Sequence, residues 1–287
     1  MERLPSWLRG HLAALRAVIV LTLLTGVLYP LAVTGVAQAF FGGRADGSLL
    51  SSGGRQVGSA VVGQSFTDQR GEPVRRYFQS RPSAAGYDML ATAASNLGPE
   101  DVVDTLPDPA GADDAAREGS RSLLTQVCAR SAAIGRLEGV SGARPYCTPD
   151  GVGAVLKVFP ATGTPTRAVS VNQACPAAPF LARYQGVAVE CGRPGEDYAA
   201  GRTVPVRGSA PIPVVPADAV TASGSGLDPD ISVAYARLQA PRVAGERGIA
   251  LARVFTLIEE HTTGRGLGFM GEPAVNVLRL NLALDRG

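Results

Sequence analysis

The longest apolar run, Ala17 to Phe41, carries no charged residue. A bilayer core about 30 Å thick is crossed by about 20 apolar helical residues, so the run predicts one transmembrane helix over 17–41. Arg3, Arg9 and Arg16 precede it; Arg44, Asp46 and Arg55 follow. A basic flank belongs on the cytoplasmic side, which puts residues 1–16 inside and makes 42–287 extracytoplasmic. Ala37-Gln38-Ala39 resembles a signal-peptide cleavage site, but the apolar part of a signal peptide runs about 7–15 residues, and this one is longer. Either outcome exports the remainder. Thr22, Gly26, Pro30 and Thr34 recur every fourth position and form one stripe; Gly35 and Ala39 form a second pair. Small side chains let helices approach closely in lipid, so the stripe predicts packing against a membrane-embedded partner. Pro30 lacks an amide hydrogen, which predicts a kink.

After the helix, Gly42 to Gly54 reads as a Gly/Ser-rich connector and Val57 to Val62 as a short strand. The next forty residues are dense in Gly, Ser, Asn and Pro, which means specified turns rather than long helices. Asp101 to Asp114, acidic and proline-containing, reads as a solvated linker, and Arg117 to Leu137 as a helix. Gly151–Phe159, Ala168–Val171 and Gly186–Cys191 have strand character. They predict a β-rich insert over about 101–217, bounded by proline strings at Pro205 and Pro211-Ile212-Pro213. In the closing block, Ser232 or Asp230 is the expected N-cap of a helix. Pro241 is expected to open a second short helix, ended by Gly248. Leu251, Val254, Phe255 and Ile258 recur at helical spacing, giving a helix over Leu251–His261. Val275 to Leu284 alternates: Leu278, Leu280, Leu282 and Leu284 on one face, Arg279 and Asn281 on the other, a half-buried strand. The fold class is therefore α+β. A single N-terminal transmembrane helix leads into an extracytoplasmic mixed α/β domain, with core 57–101 plus 218–287 and a disulfide-bonded, β-rich insert.

Composition narrows the functional classes. Net charge is +2, without the basic patch of a nucleic-acid binder. Aromatic residues are only 6%, so the core leans on Val, Leu, Ile and Ala. Cys128, Cys147, Cys175 and Cys191 all lie in the insert. An even count in an exported segment argues for disulfides, with three pairings open. Sequential pairing closes two short loops, each worth about 3 kcal/mol in the chain-entropy description. The rival, a zinc site, lacks a Cys-x-x-Cys pair or a nearby histidine.

Candidate chemistry centres on Thr221-Ala-Ser-Gly-Ser-Gly-Leu-Asp-Pro229. Its small residues suit an active-site loop, an anion-binding nest or a tight turn ahead of a helix. A Ser-His-Asp site needs an imidazole; only His261 follows the membrane helix, and it reads as a helix end. A Ser-x-x-Lys nucleophile is excluded because Ala154 stands three residues before Lys157, the one lysine. Asp218, Asp228 and Asp230 are weak metal ligands, since Pro229 favours capping. Two other classes stay open at this point: a membrane-anchored exported hydrolase built on Ser223 or Ser225, and an extracellular binding module.

Several stretches together carry a family likeness. They are Leu23-Leu-Thr-Gly-Val-Leu-Tyr-Pro-Leu-Ala-Val-Thr-Gly35, Ala45-Asp-Gly-Ser-Leu49, Gly63-Gln-Ser-Phe-Thr-Asp68, Tyr77-Phe-Gln-Ser-Arg-Pro-Ser83 and Ala94-Ser-Asn-Leu-Gly-Pro99. Val220-Thr-Ala-Ser-Gly-Ser-Gly-Leu-Asp-Pro229, Gln239-Ala-Pro-Arg-Val-Ala244, Leu267-Gly-Phe-Met-Gly-Glu-Pro273 and Val275-Asn-Val-Leu-Arg-Leu-Asn-Leu-Ala-Leu-Asp285 complete the set. In this order they resemble the C subunit (KdpC) family of Kdp-type potassium-transporting P-type ATPases. Ser95, Asn96, Thr221, Ser223, Gly224, Gly226, Asp228 and Pro229 are the motif positions. The resemblance implies a non-catalytic accessory subunit of a high-affinity, ATP-driven potassium transport complex in the bacterial plasma membrane. It implies three partners: a channel-like potassium-binding subunit, a P-type subunit that hydrolyses ATP and a small single-span subunit. It implies no catalytic residue, metal or bound cofactor in this chain. The family is also described as a catalytic chaperone that raises the ATP affinity of the P-type subunit. Typical members join the Asn-Leu-Gly-Pro and Thr-Ala-Ser-Gly stretches by a shorter helical link, so the four-cysteine insert departs from the pattern.

Overall fold

A computed structural model describes residues 5–210 and 212–286; Arg3 and Pro211, used above, lie outside them. Contacts divide the chain into two units, Met1–Val61 and Val62–Gly287.

The first unit opens with α1 (Ser6–Leu23), a π-turn (Leu24–Leu28) and α2 (Tyr29–Ala45). Together they make a 40-residue helical run whose most apolar 18-residue window has a mean hydropathy of 2.1 and is not buried. It extends beyond the uncharged 17–41 segment because arginine is a good helix former, so Arg9 and Arg16 do not stop it. Pro30 has no amide hydrogen to give to the preceding turn. The chain widens just ahead of it, and the Tyr29 amide bonds to the Leu24 carbonyl five residues back. The expected connector over 42–54 instead holds the end of α2 and β1 (Leu49–Ser52), which forms a hairpin with β2 (Arg55–Ser59), the strand expected over 57–62. Gly53 (φ +57°) and Gly54 (φ +77°) supply the positive φ that a two-residue hairpin turn requires.

In the second unit, residues 62–101 form turns. The next stretch is not a solvated linker. Val102 and Val103 pack on Val155, Val169 and Val171. The Asp104 carboxylate accepts from the Ser122 amide (2.9 Å) and hydroxyl (2.6 Å), and Asp101 accepts from the Leu123 amide (2.8 Å). These acids cap a helix N-terminus, where carboxylates are favourable. The helix expected over 117–137 is two: α3 (Asp114–Glu118) and α4 (Leu123–Glu138). Gly119 (φ +65°) and the Thr105–Ser120 bridge separate them.

The insert sheet holds β3 (Val155–Phe159), β4 (Arg167–Ala174), β5 (Arg183–Tyr184), β6 (Val187–Gly192) and β7 (Arg202–Pro205), in the order β5-β6-β4-β3-β7. Only β4 and β6 are parallel. Disulfides join Cys128 to Cys147 and Cys175 to Cys191. The first ties α4 to the loop before β3; the second ties the end of β4 to β6.

The closing block contains α5 (Ala217–Val220), β8 (Asp230–Ser232), α6 (Val233–Arg247), α7 (Leu251–Glu260), β9 (Thr262–Thr263), β10 (Ala274–Asn276) and α8 (Val277–Arg286). The small sheet has the order β8-β10-β9. Ser232 caps α6, accepting from the Tyr235 amide at 3.0 Å, and Gly248 ends it in left-handed backbone. Pro241 does not start a new helix; it sits inside α6. An interior proline costs about 3 kcal/mol, and the full burial of Ala240 and Val243 beside it offsets that cost.

The expected strand over 275–284 is three strand residues followed by α8. Every second leucine also fits a helix, because Val277, Leu280, Asn281 and Leu284 are buried at i, i+3, i+4 and i+7. Asn276 decides between the two by accepting from the Arg279 amide as an N-cap (3.1 Å). The main core gathers Phe78, Val220, Ile231, Tyr235, Val243, Ile258, Leu280 and Leu284.

Candidate functional site

The Thr221–Pro229 run spends its polar groups on structure. The Ser223 hydroxyl accepts from the Gly226 amide (3.0 Å) and the Ser225 hydroxyl from the Leu227 amide (3.1 Å). Two amides that an anion nest would need are thus taken. Thr221 donates its hydroxyl to the Ala217 carbonyl (2.8 Å). Asp228 accepts from the Arg81 guanidinium (2.8 Å) and from the Asp230 amide (3.0 Å). Asp218 receives both the amide and the hydroxyl of Ser232 (2.7 and 2.8 Å). Asp230 receives the Asn276 side-chain amide, and its burial holds its carboxyl above the ordinary carboxylate range. Among the described residues no group of three or more His, Cys, Asp or Glu could hold a metal ion. His261 sits at the end of α7, its ring bonded to the Leu257 carbonyl (2.9 Å).

The run latches onto the turn-rich block. The Gly63 amide donates to the Leu227 carbonyl (2.8 Å) and the Ser83 hydroxyl to the Gly226 carbonyl (2.7 Å). The Tyr87 hydroxyl donates to the Arg81 carbonyl. Gly226 has φ +72°, and a Cβ there would lie 2.9 Å from both the Ala85 Cβ and the Ala93 carbonyl oxygen. A Cβ on Gly63 would strike the Asp228 carbonyl. Thr221, Ser223, Gly226, Asp228 and Pro229 therefore lie in or beside one seam. Ser95 and Asn96 follow it on the stretch after Ala93, with Asn96 exposed at φ +55°. We expect Gly226→Ala to cost about 1–3 kcal/mol, from forced backbone and overpacking. Gly224→Ala, where a Cβ meets nothing within 4 Å, should stay within about 0.5 kcal/mol. Denaturant unfolding of the two variants measures this, and equal losses would dismiss the seam as a constraint.

Beneath the seam runs a buried clamp whose members are far apart in sequence. The backbone of Phe78 pairs both ways with the Asn281 side chain (2.9 and 3.0 Å). The backbone of Gln79 pairs both ways with the Gln239 side chain (2.7 and 3.1 Å). Two amide side chains thus act as a strand edge for a segment that has none. Arg242 donates to Gln239, to the carbonyls of Arg75 and Tyr77, and through Nε to both carboxylate oxygens of Glu138 (3.0 and 2.9 Å). Sequence reasoning put Asn281 on the polar face of a strand, quoted Phe78, Gln79, Gln239 and Arg242 only within family stretches, and passed over Glu138. The one available signal was Gln239 and Arg242, polar and one helical turn apart amid the apolar positions of α6.

On the N-terminal helix, Thr22, Gly26, Pro30 and Thr34 are all exposed. Gly26 lies inside the π-turn, where an added Cβ would meet only the Thr22 methyl, at 3.9 Å.

A sequence profile described as K+-transporting ATPase, c chain (KdpC) matches residues 11–106 and 197–286. The potassium-transporting ATPase KdpC subunit of Mycobacterium tuberculosis is 38% identical over 280 residues, covering 97% of this chain and 98% of the relative. Those of Streptomyces coelicolor and Rhodospirillum rubrum are each 37% identical, covering 95% and 92% of this chain and 90% and 89% of the relatives. The profile leaves out 107–196, which carries α3, α4, β3 to β6 and all four cysteines.

Proposed function

The chain belongs to the KdpC family of potassium-transporting ATPase subunits, and from that premise we propose that it is the non-catalytic outer subunit of the pump. Its apolar helix holds it in the membrane, and the second unit stands on the extracytoplasmic side. The carrying observation is a 40-residue apolar helical run with none of its most apolar window buried, bearing a stripe at Thr22, Gly26, Pro30 and Thr34. Helices in lipid associate through such small-residue faces. The two disulfides suit an oxidising compartment, and the basic flank before the helix suits an N-terminus on the cytoplasmic side.

The proposed partners are a channel-like potassium-binding subunit, a P-type subunit that carries ATP hydrolysis and a small single-span subunit. The second unit caps the outer mouth of the potassium-binding subunit and influences ion entry. An effect on ATP affinity reaches the P-type subunit as coupling between sites, without a nucleotide site in this chain. Affinity purification of this chain from its native membranes tests the assembly. The potassium-transporting ATPase subunits should elute with it, and recovery of the chain by itself would refute the proposal.

A further inference from the structure

The insert contains a groove of about 720 Å3 that none of the motif residues occupies. It lies between the C-terminal half of α4, the Cys128–Cys147 disulfide and the segment after β7. Its volume falls in the range of small-molecule sites, about 300–1,000 Å3. Val140, Phe180, Leu181 and Val206 give it apolar walls. Among the described residues, Arg136, Arg144 and Arg207 are its only charged lining residues and no carboxylate lines it. Arg144 is held by the Val215 carbonyl (2.8 Å); Arg136 and Arg207 are exposed. Among the described residues, none of the three forms an ion pair, whereas Arg75, Arg81, Arg167, Arg242 and Arg247 do.

An apolar cleft ringed by cations of one sign is complementary to a molecule with an apolar body and an anionic head. Guanidinium groups pair with carboxylates through two parallel hydrogen bonds, and the walls take the hydrocarbon. The disulfide and the strands behind it hold the walls without a ligand, so little ordering cost opposes binding. We propose that this groove binds a short-chain carboxylate amphiphile, with Arg136 and Arg207 taking the carboxylate and Phe180, Leu181 and Val206 the chain. Most of the site lies in the segment that the family profile leaves out.

Octanoate is the probe, titrated calorimetrically into the full chain in zwitterionic lipid nanodiscs. Empty discs supply the partitioning background. The parent should show saturable binding at one site. Arg136→Glu combined with Arg207→Glu should weaken it by about tenfold or more, the scale of a lost charge-assisted hydrogen bond. Arg70→Glu, outside the groove, should leave binding unchanged, and octylammonium should show no saturable binding. An unchanged melting temperature in the double variant shows that its fold is intact. The proposal is overturned by the absence of saturable octanoate binding above the disc background. Equal affinity in the double variant, or equal binding of octylammonium, overturns it as well.

Discussion

Replacing Glu138 by alanine is expected to destabilise the second unit by about 3–5 kcal/mol, the scale seen when one member of a buried ion pair is removed. The side chains of Glu138 and Arg242 are 0% and 2% exposed. Without Glu138 the guanidinium stays buried with its charge unpaired, because its other acceptors are neutral: two backbone carbonyls and the Gln239 amide oxygen. Arg242 also fixes the segment that carries Phe78, so the loss reaches the main core. Glu138→Gln keeps an acceptor and should cost less.

The pair also sets a pH dependence. Burial raises the Glu138 pKa, Arg242 lowers it, and burial is the larger effect, so the carboxyl stays above its ordinary value of 4.5. An acid whose folded pKa is raised binds its proton more tightly in the folded chain. Its contribution is full below the unfolded pKa and is lost as pH rises through the folded pKa. The stability of the parent relative to Glu138→Gln should therefore decline as pH rises above the ordinary carboxylate value of 4.5. Denaturant unfolding along that rise measures it, and a difference that grows with pH would reverse the assignment.

Replacing Gly26 by leucine is expected to cut the recovery of partner subunits with this chain by about tenfold, from the loss of about 1–2 kcal/mol of helix packing in lipid. The chain itself tolerates the change, since an added Cβ at Gly26 meets only the Thr22 methyl at 3.9 Å. A loss of co-purification with an unchanged melting temperature then reports on the partner and not on folding. The π-turn at Leu24–Leu28 widens the backbone at the same place, so bulk at Gly26 should be felt more than bulk at Thr34. Unchanged recovery would remove the stripe from the interface.

What the sequence made legible was local or family-wide. The spacing of Leu251, Val254, Phe255 and Ile258 fixes α7, because a period of 3.6 needs no information from elsewhere. Ser232 and Gly248 mark the ends of α6 for the same reason. The family was legible because nine short stretches occur in one order, although none is specific by itself. Long-range pairing was not legible. Asp104 reads as a solvated acid until Ser122 donates to its carboxylate and its own backbone amide donates to the Asn172 side chain, 68 residues away. Gln79 and Gln239 are 160 residues apart, and no local pattern connects them. The alternating leucines of 278–284 fit a strand and a helix equally, and the Asn276 cap settled the matter. The Thr221–Pro229 run looked like chemistry because small residues serve active sites and tight seams alike. Its serine hydroxyls bind its own backbone, and Arg81 takes Asp228.

Whether the chain is a working subunit of the pump is decided by potassium-stimulated ATP hydrolysis, measured on the purified transport complex with and without it. Hydrolysis should rise with potassium when the chain is present, fall to the unstimulated level when it is omitted and return on reconstitution with the full chain. Undiminished potassium-stimulated hydrolysis in a complex that lacks the chain would contradict that role.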